Sequence, residues 1–268
     1  MLNNKTFFFI ITTVAVILTG IFLDQNDDQF SWHDIIVEFH GLIFDLVVLG
    51  ILLTIYENIN DKKEKINRYS EEIDDFRHWK SDEAKFRIIG NIKRLYDLGV
   101  TKFNLMNCYL KDGDLQEYNF TGSNFYFANL AGSSLIRSNL TNCQIGICDL
   151  SRTHLVGTTF LNADLNHSLF NHAIITQCNF TNANLKNADF ENSTINKSIF
   201  DNADMSNVIL KNVRTYNQNW LQDLEQSKVI GIENILEKYY IEKSSSGKNE
   251  MGEEIWMVIE KTNSIAKD

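Results

Sequence analysis

The sequence predicts a mixed architecture in four parts: an N-terminal two-helix transmembrane hairpin, a helical linker, a stacked repeat solenoid and a small C-terminal α+β cap. Three observations carry this prediction. Two long apolar segments occupy the start of the chain, a five-residue period runs through its middle, and the period stops after Leu210. The predicted boundaries are 1–56 for the hairpin, 57–99 for the linker and N-terminal cap, 100–213 for the repeats and 214–268 for the C-terminal cap.

The two apolar segments have the length and composition of membrane-spanning helices. Thr6–Leu23 contains 18 uncharged residues, which as a helix measure about 27 Å against a hydrocarbon core of about 30 Å. This run is too long for a signal peptide and lacks a small-residue cleavage site. Ile35–Tyr56 forms the second predicted span, and the short segment between the two is acidic.

Basic residues flank the predicted hairpin on one side of the membrane. Lys5 precedes the first span, and four more follow the second: Lys62, Lys63, Lys65 and Arg68. The positive-inside rule places such residues in the cytoplasm. We therefore expect an integral protein of a bacterial inner membrane, with both termini cytoplasmic and the lipid bilayer as one partner.

Ionisable residues in the second span are candidate sites inside the membrane. Glu38 and His40 lie near its outer end, Asp45 lies near its centre, and Glu38, Gly41 and Asp45 share one helix face. A charge within a bilayer is costly, which makes these residues candidates for a helix interface or a pore. Glu38 and His40 could instead reach lipid headgroups, and Asp45 could be protonated or bonded to another helix. The expected oligomer is a homo-oligomer.

The middle of the chain repeats every five residues, which neither a helix, at about 3.6 residues, nor a strand, at about 2, explains. A large apolar residue holds the same position in 22 consecutive units from Leu105 to Leu210. Two places earlier the residue is usually small, and Asn or Asp often lies between them. No unit can bury its apolar side chain alone, so the units must stack.

This pattern resembles the pentapeptide-repeat family, A-(D/N)-L-x-x, over roughly residues 103–213. The resemblance implies a right-handed quadrilateral β-helix in which four pentapeptides make one square coil and the large residues fill the axis. Residues 20 apart would then stack, giving about 5.5 coils and a rod on the order of 26 Å long at a strand spacing of about 4.8 Å. One predicted axial column contains Phe120, Leu140, Phe160, Phe180 and Phe200.

The four cysteines share the small inward position of the repeat: Cys108, Cys143, Cys148 and Cys178. A free cysteine behaves as a small hydrophobic residue when it is buried. Their spacing fits no zinc motif. We therefore predict buried thiols rather than disulfides or metal ligands.

The linker is predicted to be helical. Apolar residues recur every seven positions from Leu52 to Ile73, a stripe that fits either a coiled coil or packing against the chain's own domain. An amphipathic helix follows, with Ser81 as its N-terminal cap and Gly99 as its end. We expect this helix to close the open edge of the first coil.

Outward-facing apolar residues form the candidate docking surface. Met106, Tyr126, Phe127 and Ile147 fall near one edge of the predicted square. Exposed apolar clusters often mark contacts with other proteins. The alternative is that the flanking helices or the C-terminal tail cover them.

Motifs for catalysis and cofactor binding are absent from the sequence, which has no phosphate-binding glycine loop, nucleophile elbow or H-E-x-x-H. His167 and His172 stand five residues apart without a third metal ligand, so a solvated surface is the better interpretation. The sequence therefore predicts a protein that is not an enzyme and that uses no cofactor or metal.

Three functions remain open. We favour a membrane-anchored interaction or scaffold protein whose cytoplasmic rod binds an unknown protein and whose membrane helices self-associate. The second is an oligomeric membrane effector, pore-forming or bilayer-disrupting, controlled by the rod and suited to phage defence. The third is a gyrase-binding DNA mimic, known in the family, but the nine acidic and six basic side chains of 103–213 leave a net charge of only −3. We therefore expect no nucleic-acid partner.

Overall fold

The computed structural model describes residues 32–261 together with Ile11, Val14, Ala15 and Leu18, and it describes no side chains for 32–39. The first predicted span, Thr6–Leu23, thus lies outside the described residues except at those four positions. The chain forms two compact units, Met1–Asn67 and Arg68–Asp268, and each is treated by itself below.

The first helix, α1, runs from Trp32 to Asp75 and contains the whole second predicted span. Within the described residues it is the one helix long and apolar enough to cross a membrane, with a mean hydropathy of 2.0 over its most apolar window. The described residues therefore contain one candidate membrane helix where the sequence predicted two. The second predicted helix of the hairpin stays a prediction.

The second helix, α2, runs from Asp82 to Asp97 and confirms the predicted amphipathic helix. The Ser81 hydroxyl accepts a hydrogen bond from the Ala84 amide at 3.2 Å, which satisfies one of the free amides at the helix start. Gly99 follows the end of α2 with φ of 85°, a left-handed geometry that glycine adopts without steric cost. The apolar face of α2, which includes Ile88 and Ile92, is buried.

The repeats form a β-helix in which one residue of each pentapeptide bridges the residue 20 places later, from Asn104 with Asn124 to Asp189 with Ile209. Bridges recur at every fifth residue, so each coil has four sides. One side contains the regular parallel strands β1 (His154–Val156), β2 (Ile174–Thr176), β3 (Thr194–Asn196) and β4 (Arg214–Thr215). Every central apolar residue of the repeats is at most 1% exposed, which confirms the five-residue register.

Phenylalanine rings stack along the axis of the β-helix. Phe180 lies between Phe160 and Phe200, with ring centroids 4.9 and 5.0 Å away and nearly parallel planes. These three rings confirm part of the predicted column. Phe170 and Phe190 form a second stack at 4.6 Å, which the sequence analysis did not single out.

The corners of the coils use left-handed backbone geometry. Residues at these corners have φ between 50° and 72°, and the commonest of them is asparagine, which tolerates this region better than most L-residues. Corner asparagines also form amide ladders between coils, as in the 3.1 Å bonds that Asn182 donates to Asn162 and Asn162 donates to Asn142. Where two successive coils both carry asparagine at a corner, this residue therefore supplies both the turn and a bond to the next coil.

The C-terminal segment folds over the last coil. Helices α3 (Trp220–Gln226) and α4 (Ile232–Lys238) precede a hairpin of β5 (Tyr239–Lys248) and β6 (Glu254–Glu260). Strand β6 pairs antiparallel with β4, so the sheet order is β1-β2-β3-β4-β6-β5. These two helices and the strand pair form the small α+β cap that the sequence predicted.

Candidate interaction surface

One corner of the β-helix is apolar where other corners are polar. We call Tyr126, Phe127 and Ile147 the aromatic corner. The rings of Tyr126 and Phe127 meet edge to face with centroids 4.6 Å apart. Phe127 is 50% exposed and Ile147 is 40% exposed, so the flanking elements do not cover them in the described structure.

A glycine on the next coil makes room for the Tyr126 ring. Gly146 lies 20 residues after Tyr126, and a Cβ atom at this position would stand 2.6 Å from Cε2 of the tyrosine. One edge of the tyrosine ring therefore packs closely against Gly146, where any larger residue would have to displace it.

The backbone of the aromatic corner is strained. Phe127 and Ile147 have φ of 60° and 54°, a region in which bulky or β-branched residues are genuine outliers. The equivalent corners of the other coils carry Asn107, His167, Asn187 and Asn207. A bulky residue in this region costs on the order of 1–3 kcal/mol, and strain of this kind concentrates at functional sites.

The apolar residues also interrupt an amide ladder. Asn207 donates to Asn187 at 3.2 Å, and Asn187 contacts Nε2 of His167 at 3.2 Å. The next residue in this column is Ile147, which has no polar side-chain atom to continue the ladder. The aromatic corner thus lacks the side-chain hydrogen bonds of the ladder and also has an unfavourable backbone geometry.

Met106, the fourth predicted docking residue, is only half-exposed and lies on the first coil beside the C-terminal end of α1. Arg77 donates to the carbonyl oxygen of Met106 and, at 3.2 Å, to that of Asn104, and it pairs with Asp74. The first coil has no preceding coil to bond these carbonyls. Arg77 therefore caps the open edge, a role that the sequence analysis missed.

The cysteines are buried and free, as predicted. Burial raises the pKa of Cys108 and Cys143 to about 12 and that of Cys178 to about 11. The Cys143 thiol donates to the Phe120 carbonyl at 2.9 Å. A thiol with so high a pKa is a poor nucleophile at neutral pH, so these residues act as core packing.

Metal-binding clusters are not found among the residues that the structure describes, where no group of three or more His, Cys, Asp or Glu side chains converges. His167 takes part in the amide ladder instead, through its contact with Asn187. His172 lies at an exposed corner with φ of 61°.

The family of pentapeptide repeats matches residues 104–142, 148–187 and 173–212, in eight copies. The matched residues are the same ones that form the four-sided coils. This segment is a pentapeptide-repeat domain. Among curated proteins, none matches the chain.

Solved structures of other pentapeptide-repeat proteins are similar to this domain. HetL, involved in heterocyst differentiation regulation in the cyanobacterium Nostoc sp. strain PCC 7120, is 24% identical, with a TM-score of 0.43 over 46% of this chain and 52% of HetL. This chain thus spans about half the length of HetL. Rfr23 from the cyanobacterium Cyanothece 51142 is 22% identical, with a TM-score of 0.28 over 48% of this chain and 95% of Rfr23.

A trypsin-treated form of QnrB1, a plasmid-mediated fluoroquinolone resistance protein, is also similar. It is 15% identical, with a TM-score of 0.26 over 48% of this chain and 73% of QnrB1.

The membrane candidates lie on α1, outside the pentapeptide-repeat domain. Gly41 and Asp45 are exposed within the first unit, and His40 is exposed but has an interaction of its own. Glu38 is helical, and its side chain is outside the described part. These four residues and the four of the docking surface belong to different compact units.

Proposed function

We propose that this protein is a membrane-anchored, non-enzymatic interaction module whose pentapeptide-repeat domain presents the aromatic corner to a protein partner. The observation that carries the proposal is the strain at Phe127 and Ile147, which occupy positions where asparagine would cost less. Apolar side chains in this geometry weaken the fold, so a function outside the fold explains them better. Protein-interaction roles are known in the pentapeptide-repeat family.

Exchange of the two strained residues for the usual corner residue tests this proposal. Phe127→Asn combined with Ile147→Asn should keep or raise the melting temperature, because both replacements suit left-handed geometry. Each kcal/mol of relieved strain corresponds to about 2–4 °C in a chain of this size. Partner recovery should fall about tenfold or more, as expected when central apolar contacts of about 1.4 kcal/mol or more are lost.

The measurement is affinity purification of the full chain from detergent-solubilised native membranes, followed by identification of co-purifying proteins. The matched control is His172→Asn, which makes the same replacement at an exposed corner of φ 61° outside the aromatic corner. Unchanged recovery with the double variant would refute a docking role. A fall in melting temperature would instead show that the corner serves the fold.

We propose that α1 anchors the protein in a membrane and that both termini are cytoplasmic. The apolar composition of α1 and the basic residues after it, such as Lys62 and Lys63, support this orientation. Protease added to the periplasmic side of spheroplasts should leave the pentapeptide-repeat domain intact. Its cleavage there would reverse the proposed orientation.

A second candidate function, an oligomeric membrane effector, is favoured by one observation: Asp45 is exposed near the centre of the predicted span in α1. Vesicles containing the wild-type chain should then release trapped cations, and Asp45→Asn should abolish most of the release. Glu64→Gln, which makes the same change outside the span, is the control. Vesicles that stay sealed with the wild-type chain would exclude this function.

A further inference from the structure

The seven-residue apolar stripe of the linker and the acidic residues of the membrane span form one continuous stripe on α1. Asp45, Leu52, Ile59, Ile66 and Ile73 follow one another at intervals of seven. The structure joins them in a single helix, Trp32–Asp75, so they form one stripe, which drifts by about 20° for every seven residues on a straight helix. A second row at the same interval runs beside it and contains Gly41, Val48, Ile55, Lys62 and Tyr69, and Phe76 continues this row just after the end of α1.

The end of this stripe is covered by the chain's own second helix. Ile73 is 4% exposed. The guanidinium of Arg94, on α2, lies 5.6 Å from the centre of the Tyr69 ring, and that of Arg87 lies 5.3 Å from the centre of the Phe76 ring. Arg87 also pairs with Glu72 at 3.3 Å. From Tyr69 onward, α2 therefore occupies the place that a partner helix would take.

The earlier part of the stripe is exposed among the residues that the structure describes. Leu52, Ile55 and Ile59 are 57%, 50% and 63% exposed. Lipid can cover Leu52 and Ile55 but not Ile59, which lies beyond the predicted span among charged residues. In the segment 57–67 the only apolar residues are Ile59 and Ile66, seven apart on the stripe.

We propose that α1 pairs with a second copy of this chain, parallel and in register, along the stripe from Gly41 and Asp45 to Ile66. Helix α2 then replaces the partner helix from Tyr69 onward. A seven-residue spacing matches the period at which two supercoiled helices stay in contact. Beyond the membrane, lipid does not explain why the apolar residues recur every seven positions. A second copy of the helix does, because its own apolar residues have the same spacing. The proposal rests on the membrane anchoring proposed above.

This pairing explains two other features of α1. Asp45 faces its counterpart in the second copy instead of lipid, and Gly41 lets the two backbones approach closely. Lys62 is the one charged position of the stripe outside the span. Its flexible stem lets the ammonium reach water, at a cost to the strength of pairing.

Single cysteines in native membranes test the proposed interface. After oxidation, Ile59→Cys should form disulfide-linked dimers at least about tenfold faster than Glu64→Cys on the opposite face, because pairing holds the thiols at a high effective concentration. Ile73→Cys should form none, because α2 covers it. The wild-type chain is the background control, since its four thiols are buried.

Each other outcome contradicts the proposal. Equal rates at positions 59 and 64 would indicate random collision, and dimers through position 73 would show that α2 does not replace the partner. If position 59 stays unlinked, the mass of the wild-type chain in nanodiscs distinguishes a wrongly placed interface from the absence of self-association. An oligomer would mean that the chains associate through another face, and a monomer would exclude self-association itself.

A gain of pairing gives an independent check. Lys62→Leu completes the second row of the stripe and should increase the dimer fraction in nanodiscs several-fold, because a polar core position weakens pairing. Lys63→Leu makes the same replacement beside the stripe and should leave the fraction near the wild-type value. An equal increase in both variants would show that added apolar surface, and not the stripe, causes pairing.

Discussion

Phe180→Asp is expected to abolish the folded pentapeptide-repeat domain. The Phe180 side chain is fully buried between the rings of Phe160 and Phe200. Loss of a buried aromatic side chain costs about 3–5 kcal/mol. An unpaired carboxyl in the same space adds several kcal/mol more. The sum is comparable to the whole stability of a domain, about 5–15 kcal/mol.

The damage should spread beyond the altered coil, because each coil is stabilised by its two neighbours. Circular dichroism and limited proteolysis of the full chain in detergent should show loss of β-structure and rapid cleavage between 103 and 213. Asn179→Asp is the matched control. It adds the same charge one residue earlier on the outside, and an aspartate still accepts the hydrogen bond that the Thr181 amide donates at 2.9 Å. A cooperative transition in Phe180→Asp at the wild-type temperature would show that the inward register is wrong.

Gly231→Ala should release the C-terminal cap. Gly231 has φ of 85°, and a Cβ atom there would lie 2.9 Å from the Cα atom of Ser206. Left-handed geometry costs alanine about 1–2 kcal/mol, and the collision adds about 1–3 kcal/mol. The melting temperature of the full chain should fall by roughly 5–15 °C.

The position of Gly231 makes this loss specific to the cap. The preceding residue, Ile230, bonds the last coil through Met205 at 3.0 Å and Ala203 at 2.9 Å. Detachment of the segment at Ile230 exposes the unpaired backbone groups of the last coil, so the variant should also aggregate.

Gly247→Ala separates strain from collision. Gly247 also has a positive φ, 79°, but a Cβ atom there meets nothing within 4 Å. This variant should lose only about 2–4 °C per kcal/mol of strain and should stay soluble. Equal losses in the two variants would mean that the contact with Ser206 does not hold the cap.

The axis of the domain could be predicted from the sequence because its cause is local. Each unit must bury one large residue, so the period alone assigned the core from Leu105 to Leu210. The strained corner could also have been found, since the equivalent position of the other coils carries only asparagine or histidine, which makes Phe127 and Ile147 stand out. The sequence analysis noted that these two are apolar but not that their backbone is left-handed.

Contacts between elements could not be predicted in the same way. Arg77 bonds the carbonyls of Asn104 and Met106, which are 27 and 29 residues further along the chain. Nothing in a charged helix end shows which carbonyls it will meet. The packing of Tyr126 over Gly146 depends likewise on two residues of different coils. The division of the α1 stripe into an exposed part and a part covered by α2 could be seen only once the position of α2 was known.

The twenty-residue pairing between coils has a consequence for changes in chain length. Deletion of 20 residues inside the repeats would remove one full turn and return every later residue to its original column. Deletion of five would also keep the core filled, but it would turn everything beyond the cut by a quarter revolution. The direction in which the aromatic corner points relative to the C-terminal cap is therefore adjustable in steps of about 90°, with no substitution in either one.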